Sequence, residues 1–432
     1  MVYLLMKQNV WTLSSLFANA CITGLSTLLP LYIIFLGGTV IDVALSLSLF
    51  NLSLIVSSLF WGYVIDSFGW RKRLIVISYL GLVLGSIALY SITNLVLIAI
   101  IYGFIGFMRV GSQPAINLLV IETEKKKDWG TVFARLQLVS VLGMILALLF
   151  GIFWIVIFGL QSYLVVCLGF GILATLIAQV FISEPPIRFE SDIISKFPST
   201  LIHRIRSNPV ILPKLPSLKE VDTLLKMLKA GILQAFPLFL FSTFLFYASS
   251  GMYFTAMIPF LKQSMISDSV IFAVYLTLYL TQAVAFMFSS KFVNHYGEKS
   301  ATIFSFFPRI AGTALTVFAA VYLTNSYLLL LIVLAFVSLD AAFSIYSTST
   351  SLILYELLPI KRRGYFLGVF GAMTGVGLLI GSLISGEISA LFGFPATFTL
   401  ATTFLVLSLL IMRIFNKRTD IITVSDSNHK NL

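Results

Sequence analysis

The sequence predicts an all-α membrane protein, with twelve transmembrane helices arranged as two pseudo-symmetric six-helix bundles. Three observations carry that prediction. Of the 432 residues 59% are hydrophobic and 10% charged, where soluble domains are about 25% charged. Twelve apolar stretches are each long enough to cross a hydrocarbon core of about 30 Å, which takes about 20 residues of helix. Landmarks in the first six stretches recur in the last six at a nearly constant offset, the mark of an internal repeat.

The stretches cover 10–36, 41–63, 72–92, 95–121, 130–156 and 160–182, then 236–261, 269–290, 301–323, 326–353, 364–388 and 392–415. The residues before the first hold one lysine, and its apolar run exceeds that of a signal peptide, so a spanning helix is expected there rather than a cleaved leader. Tight turns such as Gly37-Gly38-Thr39, Thr93-Asn94, Thr324-Asn325 and Phe392-Gly393 join the spans on one side.

Charge sets the orientation. With the N-terminus in the cytoplasm, 25 of the 28 basic residues fall on cytoplasmic segments, only Lys262 lies outside, and Arg109 and Arg309 sit inside helices. The reverse topology would export nearly every cation, so both termini are expected in the cytoplasm. The net charge of +11 then reports topology and no nucleic-acid partner; the lipid bilayer of the cell membrane is the expected surroundings.

The long polar segment 183–235, broken by Pro185-Pro186, Pro198, Pro209, Pro213 and Pro216, reads as a cytoplasmic linker. Within it Leu218–Ala230 sets Val221, Leu224, Leu225 and Leu228 against Lys219, Asp222, Lys226 and Lys229, an amphipathic helix for the membrane surface or for a partner protein. The expected units are a first bundle over 1–182, the linker, a second bundle over 236–416 and a cytoplasmic tail over 417–432. Between the bundles, Gly69 and Gly297 are 228 residues apart, Pro30 and Pro259 are 229, Asn94 and Asn325 are 231, and Gly143 and Gly377 are 234.

The turn after the second span is distinctive: Gly62-Tyr-Val-Ile-Asp66-Ser-Phe-Gly69-Trp-Arg71-Lys72-Arg73. Gly62 permits close helix approach, Gly69 a turn with positive φ, Asp66 a neutralised carboxylate, and Arg71, Lys72 and Arg73 anchor the cytoplasmic side. This resembles the G-x-x-x-D-[RK]-x-G-[RK]-[RK] motif of the major facilitator superfamily. Ser67 stands where that pattern has a basic residue, and Trp70 moves the basic run by one place. A weaker copy, Ser290-Lys-Phe-Val-Asn294-His-Tyr-Gly297-Glu-Lys299, closes the eighth span. With twelve spans and a central linker, the resemblance covers nearly the whole chain. It implies a rocker-switch transporter whose cavity is lined mainly by helices 1, 4, 7 and 10, with the Gly62–Arg73 turn helping to close the cytoplasmic side.

Arg109 lies in the middle of the fourth span and Asp340 in the middle of the tenth, each 15 residues after the repeat-related Asn94 and Asn325. A charge at mid-membrane costs about 2.5–3.5 kcal/mol on insertion scales, so neither should face lipid. Arg109 suits a carboxylate or phosphate, and Asp340 an amine or a proton. Arg309, after Pro308, is a further candidate; the alternative is a structural ion pair between Arg309 and Asp340. Asn19, Gln113, Tyr247 and Gln282 are candidate wall residues, with plain interhelical hydrogen bonding as the other reading of each. The small-residue row Gly364, Gly368, Gly371, Gly375, Gly377 and Gly381 reads as a packing ridge.

No metal cluster, nucleophile triad, cofactor motif or phosphate loop is visible, and Cys21 and Cys167 read as buried thiols. The chain is therefore expected to be a non-enzymatic transporter, monomeric, without cofactors, moving a small charged or zwitterionic solute, with protons as the candidate coupling ion. Proton-coupled efflux of lipophilic drugs is the alternative. Exporters of the superfamily often carry an acid in helix 1 and G-P-x-x-G-G in helix 5. Here Asn19 and Thr23 occupy the first, and Gly143-x-x-x-Ala147-x-x-x-Gly151 the second. A receptor or membrane enzyme is a remote third reading.

Overall fold

The computed structural model describes residues 10–68, 70–123, 129–183, 235–322, 325–357 and 363–430, with the side chain of Asp66 outside that description. Among the described residues, twelve helices follow in chain order. The first six are α1 (Thr12–Phe35), α2 (Val40–Phe68), α3 (Lys72–Ser91), α4 (Leu95–Thr123), α5 (Trp129–Phe158) and α6 (Tyr163–Phe181). The second six are α7 (Phe236–Gln263), α8 (Asp268–Tyr296), α9 (Glu298–Tyr322), α10 (Asn325–Leu357), α11 (Arg363–Phe392) and α12 (Phe394–Lys430). All twelve are long and apolar enough to cross a membrane. Alternating crossings bring both ends of the chain to one side, the termini face.

The repeat is written in the packing. In the first half α1 packs on α5 and α6, α4 on α2 and α3, and α3 on α6; in the second half α7 packs on α11 and α12, α10 on α8 and α9, and α9 on α12. The contacts between halves repeat as well, α2 with α11 and α5 with α8. Single glycines explain why. A Cβ on Gly143 would strike the carbonyl oxygen of Leu16, and one on Gly377 would lie 2.7 Å from that of Phe244. The four positions are related by the offsets read from sequence, so the same backbone-to-backbone approach recurs in both halves. Gly381, against Ala248, extends it, whereas Gly371 meets nothing within 4 Å; the ridge expected in α11 is used only in part, and Gly364 and Gly368 lie outside the described side chains.

Turns behave as their residues require. Gly297, with φ +79°, ends α8 and donates to Val293 O at 2.8 Å, satisfying a terminal carbonyl from a conformation that costs glycine little. In the repeat-related turn Gly69 and the carboxylate of Asp66 lie outside the description, but Arg71 Nη1 donates to Ile65 O at 3.3 Å and so caps the carbonyl end of α2. On the opposite face Thr39 donates from N and Oγ1 to Asp42 Oδ2 at 2.7 and 2.8 Å, fixing the start of α2. Lys262, the one cation expected there, bonds Asp268 across the α7–α8 turn.

Several helices outrun their apolar stretches, α4 to Thr123, α10 to Leu357 and α12 to Lys430. The tail expected over 417–432 is thus helical through Lys430. The amphipathic helix expected over 218–230 lies outside the described residues.

The halves are pinned together at mid-depth and beyond, towards the face opposite the termini. Phe272 of α8 fills the notch left by Gly151 of α5, and Ser269 Oγ donates to Ile152 O at 2.7 Å. Asn51 Nδ2 donates to Ser382 Oγ at 3.1 Å, and Gly386 of α11 receives Ala44 of α2.

Candidate substrate cavity

A cavity of about 370 Å³ lies between the halves. Its wall departs from the expected four helices: α2, α8, α9 and α11 contribute beside α1, α4, α7 and α10. The second half supplies most of it, because only Ser26, Pro30, Leu47, Phe50, Asn51 and Tyr102 come from the first.

Arg309 and Asp340 are the two charges among the described wall residues, only 4% and 5% exposed. Pro308 precedes the arginine on α9, and Ser338 Oγ of α10 donates to its carbonyl at 2.6 Å. The guanidinium then reaches over to α10 and α7, with Nη1 donating to Leu339 O at 3.1 Å and Nη2 to Ser250 Oγ at 2.8 Å. It lies 4.4 Å from the centre of the Phe246 ring, which stacks on Tyr346 at 3.6 Å and meets Phe306 edge-on. Ser250 hands its own proton to Phe246 O at 2.9 Å, so a fixed hydroxyl and a fixed ring hold the cation.

The structural ion pair weighed from sequence is not what holds Arg309; its terminal nitrogens are spent on a carbonyl and a hydroxyl. Its Nε and Asp340 Oδ2 are buried without hydrogen-bond partners among the described residues. The carboxylate has Arg309 of α9, Tyr253 of α7 and Tyr279 of α8 as its charged and titratable neighbours, and Tyr253 is engaged with Thr316 Oγ1 at 2.8 Å. The nearby Arg309 charge offsets the buried carboxylate in part, and a cationic group or a proton at Oδ2 would supply the hydrogen bond that no described residue makes. Because Ser250 satisfies a buried charged donor, Ser250→Ala is expected to cost about 1–3 kcal/mol, read as a lowered thermal unfolding midpoint of the detergent-purified chain.

Of the other expected site residues, Tyr247 and Gln282 line the cavity, and no described residue hydrogen-bonds the Gln282 amide. Asn19, Gln113 and Arg109 do not line it. Asn19 turns its amide onto Ser15 O of its own helix at 2.8 Å. Gln113 is exposed and faces Asn117 Oδ1 at 3.5 Å. Arg109 sits two turns beyond Tyr102 on α4, about 10.5 Å nearer the termini face. It is half-buried, no described residue accepts a hydrogen bond from its guanidinium, and it is within electrostatic range of the wall residues Tyr102 and Tyr279. The polar stripe of Arg109, Gln113 and Asn117 therefore continues the cavity side of α4 towards the termini.

Sequence reasoning missed Asn51, Ser382, Tyr275 and Tyr279. The last two carried a signal, since Tyr275, Tyr279 and Gln282 stand at i, i+4 and i+7 on one face of α8.

A profile of the Major Facilitator Superfamily matches residues 11–239 and 239–430. No curated protein matches the sequence. Among solved structures, the nucleoside transporter NupG superposes with a TM-score of 0.72 at 16% identity, over 95% of this chain and 98% of that one. A POT family transporter in complex with 5-aminolevulinic acid gives 0.72 at 13%, over 96% of each chain. A mutant of the peptide transporter POT in complex with sulfate gives 0.69 at 13%, over 96% and 94%. At these identities the likeness is one of fold.

Proposed function

The chain belongs to the Major Facilitator Superfamily and is a multi-pass transporter of that fold, and on this premise we propose that it moves a small charged or zwitterionic solute across the cell membrane. The two halves would rock about the central cavity, opening it to one face at a time. One observation carries the choice of solute: the two charged residues of the wall, Arg309 and Asp340, are opposite in sign and buried in one small cavity. Transporters of like fold are named for nucleosides and peptides, or hold 5-aminolevulinic acid, so polar metabolites are within the reach of the architecture.

In this reading Asp340 takes either a cationic group of the solute or a proton, which couples the two. Arg109 contributes along the route from the termini face, where its guanidinium, bonded to no described residue, can receive an anionic group. The Gly62–Arg73 turn helps to close that route. The excess of cations on termini-side segments supports a cytoplasmic position for both chain ends. A cysteine introduced into 183–235 is then expected to resist impermeant thiol reagents in intact cells, and labelling from outside would reverse the orientation.

A thermal-shift screen of the detergent-purified chain against amino acids, organic acids, sugars, phosphates and lipophilic cations tests the solute class. A ligand at about 100 times its dissociation constant adds about 2.7 kcal/mol of stability. Stabilisation by charged or zwitterionic metabolites is expected. Stabilisation by lipophilic cations alone would instead favour drug efflux.

A further inference from the structure

We infer that the cavity accepts an aromatic zwitterion, an amine and a carboxylate a few bonds apart on a flat aromatic body, with the amine at Asp340 and the carboxylate beside Arg309. This substrate class presupposes the transport function proposed above.

The charges set the first requirement. Arg309 bonds the carbonyl of Leu339, the residue next to Asp340, and the two charges lie within electrostatic range of each other in the cavity wall. Their formal charges cancel. A simple amine would answer Asp340 and add a second cation beside Arg309; a simple carboxylate would do the reverse. Among charged solutes, only one with both groups, closely spaced, leaves neither charge buried against its own kind.

The rings set the second. Seven of the 21 wall residues are Phe or Tyr, a third of the wall, whereas aromatic residues make up 14% of the chain. Phe50 and Tyr102 stack at 4.5 Å between centroids and 21° between planes, presenting aromatic surface from the first half. The charged pair belongs to the second half. A solute whose charged head meets this pair and whose flat body rests against Phe50 bridges the halves, which lets its binding bias their movement. Volume sets the third requirement. At about 370 Å³ the cavity is near the lower end of small-ligand sites, about 300–1,000 Å³, and suits one or two fused rings.

The test uses the full-length wild-type chain in detergent, with L-phenylalanine and L-tryptophan as probes. They are compared with phenethylamine and tryptamine, which lack the carboxylate, with 3-phenylpropionate and indole-3-propionate, which lack the amine, and with L-alanine, which lacks the ring. Thermal shift against concentration should show the aromatic zwitterions acting at concentrations at least on the order of tenfold below every truncated analogue. Asp340→Asn should abolish the preference over the carboxylates, and Arg309→Gln the preference over the amines. Phe50→Ala should reduce the preference over alanine. The wild-type series decides the matter even where a variant fails to fold. Equal response to an amine or a carboxylate alone overturns the zwitterion, and equal response to alanine overturns the aromatic body. Stabilisation by a different charged class, with none from these probes, overturns this substrate while leaving the transport proposal standing. Silence across all charged solutes contradicts that proposal itself.

Discussion

Asp340→Asn is expected to weaken binding of the transported solute by about ten- to a hundredfold and to erase the pH dependence of the binding that remains. The carboxylate sits 5% exposed in the cavity wall, with no described residue hydrogen-bonded to Oδ2, and a charge-assisted hydrogen bond contributes about 1.5–3 kcal/mol. Asparagine keeps the shape but cannot neutralise a cation. The sign follows from competition for one site. Acid protonates the carboxylate and expels the solute's cationic group, so wild-type affinity should fall as pH falls, while the asparagine variant should be flat. Uphill transport driven by a proton gradient should vanish with it. Titration calorimetry across pH, together with uptake into proteoliposomes, reads both effects. Unchanged affinity and unchanged accumulation would remove Asp340 from the mechanism.

The second large effect is conformational. Gly151→Leu places a branched side chain where the Phe272 ring now sits. Overpacking of this kind costs about 1–3 kcal/mol, and here it falls mainly on the state in which α5 and α8 are closed against each other. A shift of that size moves a two-state equilibrium by about 5- to 150-fold. Transport should slow sharply while solute binding persists, and the face opposite the termini should become open to thiol reagents. Phe272→Ala in the same chain should restore transport by emptying the space the leucine needs. Loss of folded protein that Phe272→Ala does not rescue would show that Gly151 serves packing alone.

The twelve spans were legible because hydrocarbon thickness imposes a length on each apolar run, and the repeat because identical close approaches demand glycine at matching places, as at Gly143 and Gly377. Helix ends were not legible at Thr123, Leu357 and Lys430. Once outside the apolar layer a helix continues on its own backbone hydrogen bonds and needs no apolar side chains. The site was half legible. The cost of burying charge singled out Arg109, Arg309 and Asp340, but that cost only says that a charge avoids lipid, not which wall it joins. Depth alone suggested Arg109 as the cation opposite Asp340. The cavity instead uses Arg309, because Ser250 and Leu339 O lie within reach of its guanidinium. Asn19 was misleading for a local reason, since a carbonyl one turn back satisfies its amide without any cavity. The contribution of α8 was hidden because its tyrosines read as ordinary apolar bulk until Gln282 is placed on the same face.

Alternating access about this cavity is tested most directly by a single cysteine at Leu378, a wall residue of α11. Cys21 and Cys167 are buried and are replaced by alanine to remove background. In sealed vesicles of each orientation, an impermeant maleimide should reach Leu378→Cys from the termini face of the ligand-free protein and be excluded from the opposite face. Adding Gly151→Leu should reverse that preference. Equal labelling from both faces, unaltered by Gly151→Leu, would mean that the two halves do not alternate and would contradict the account.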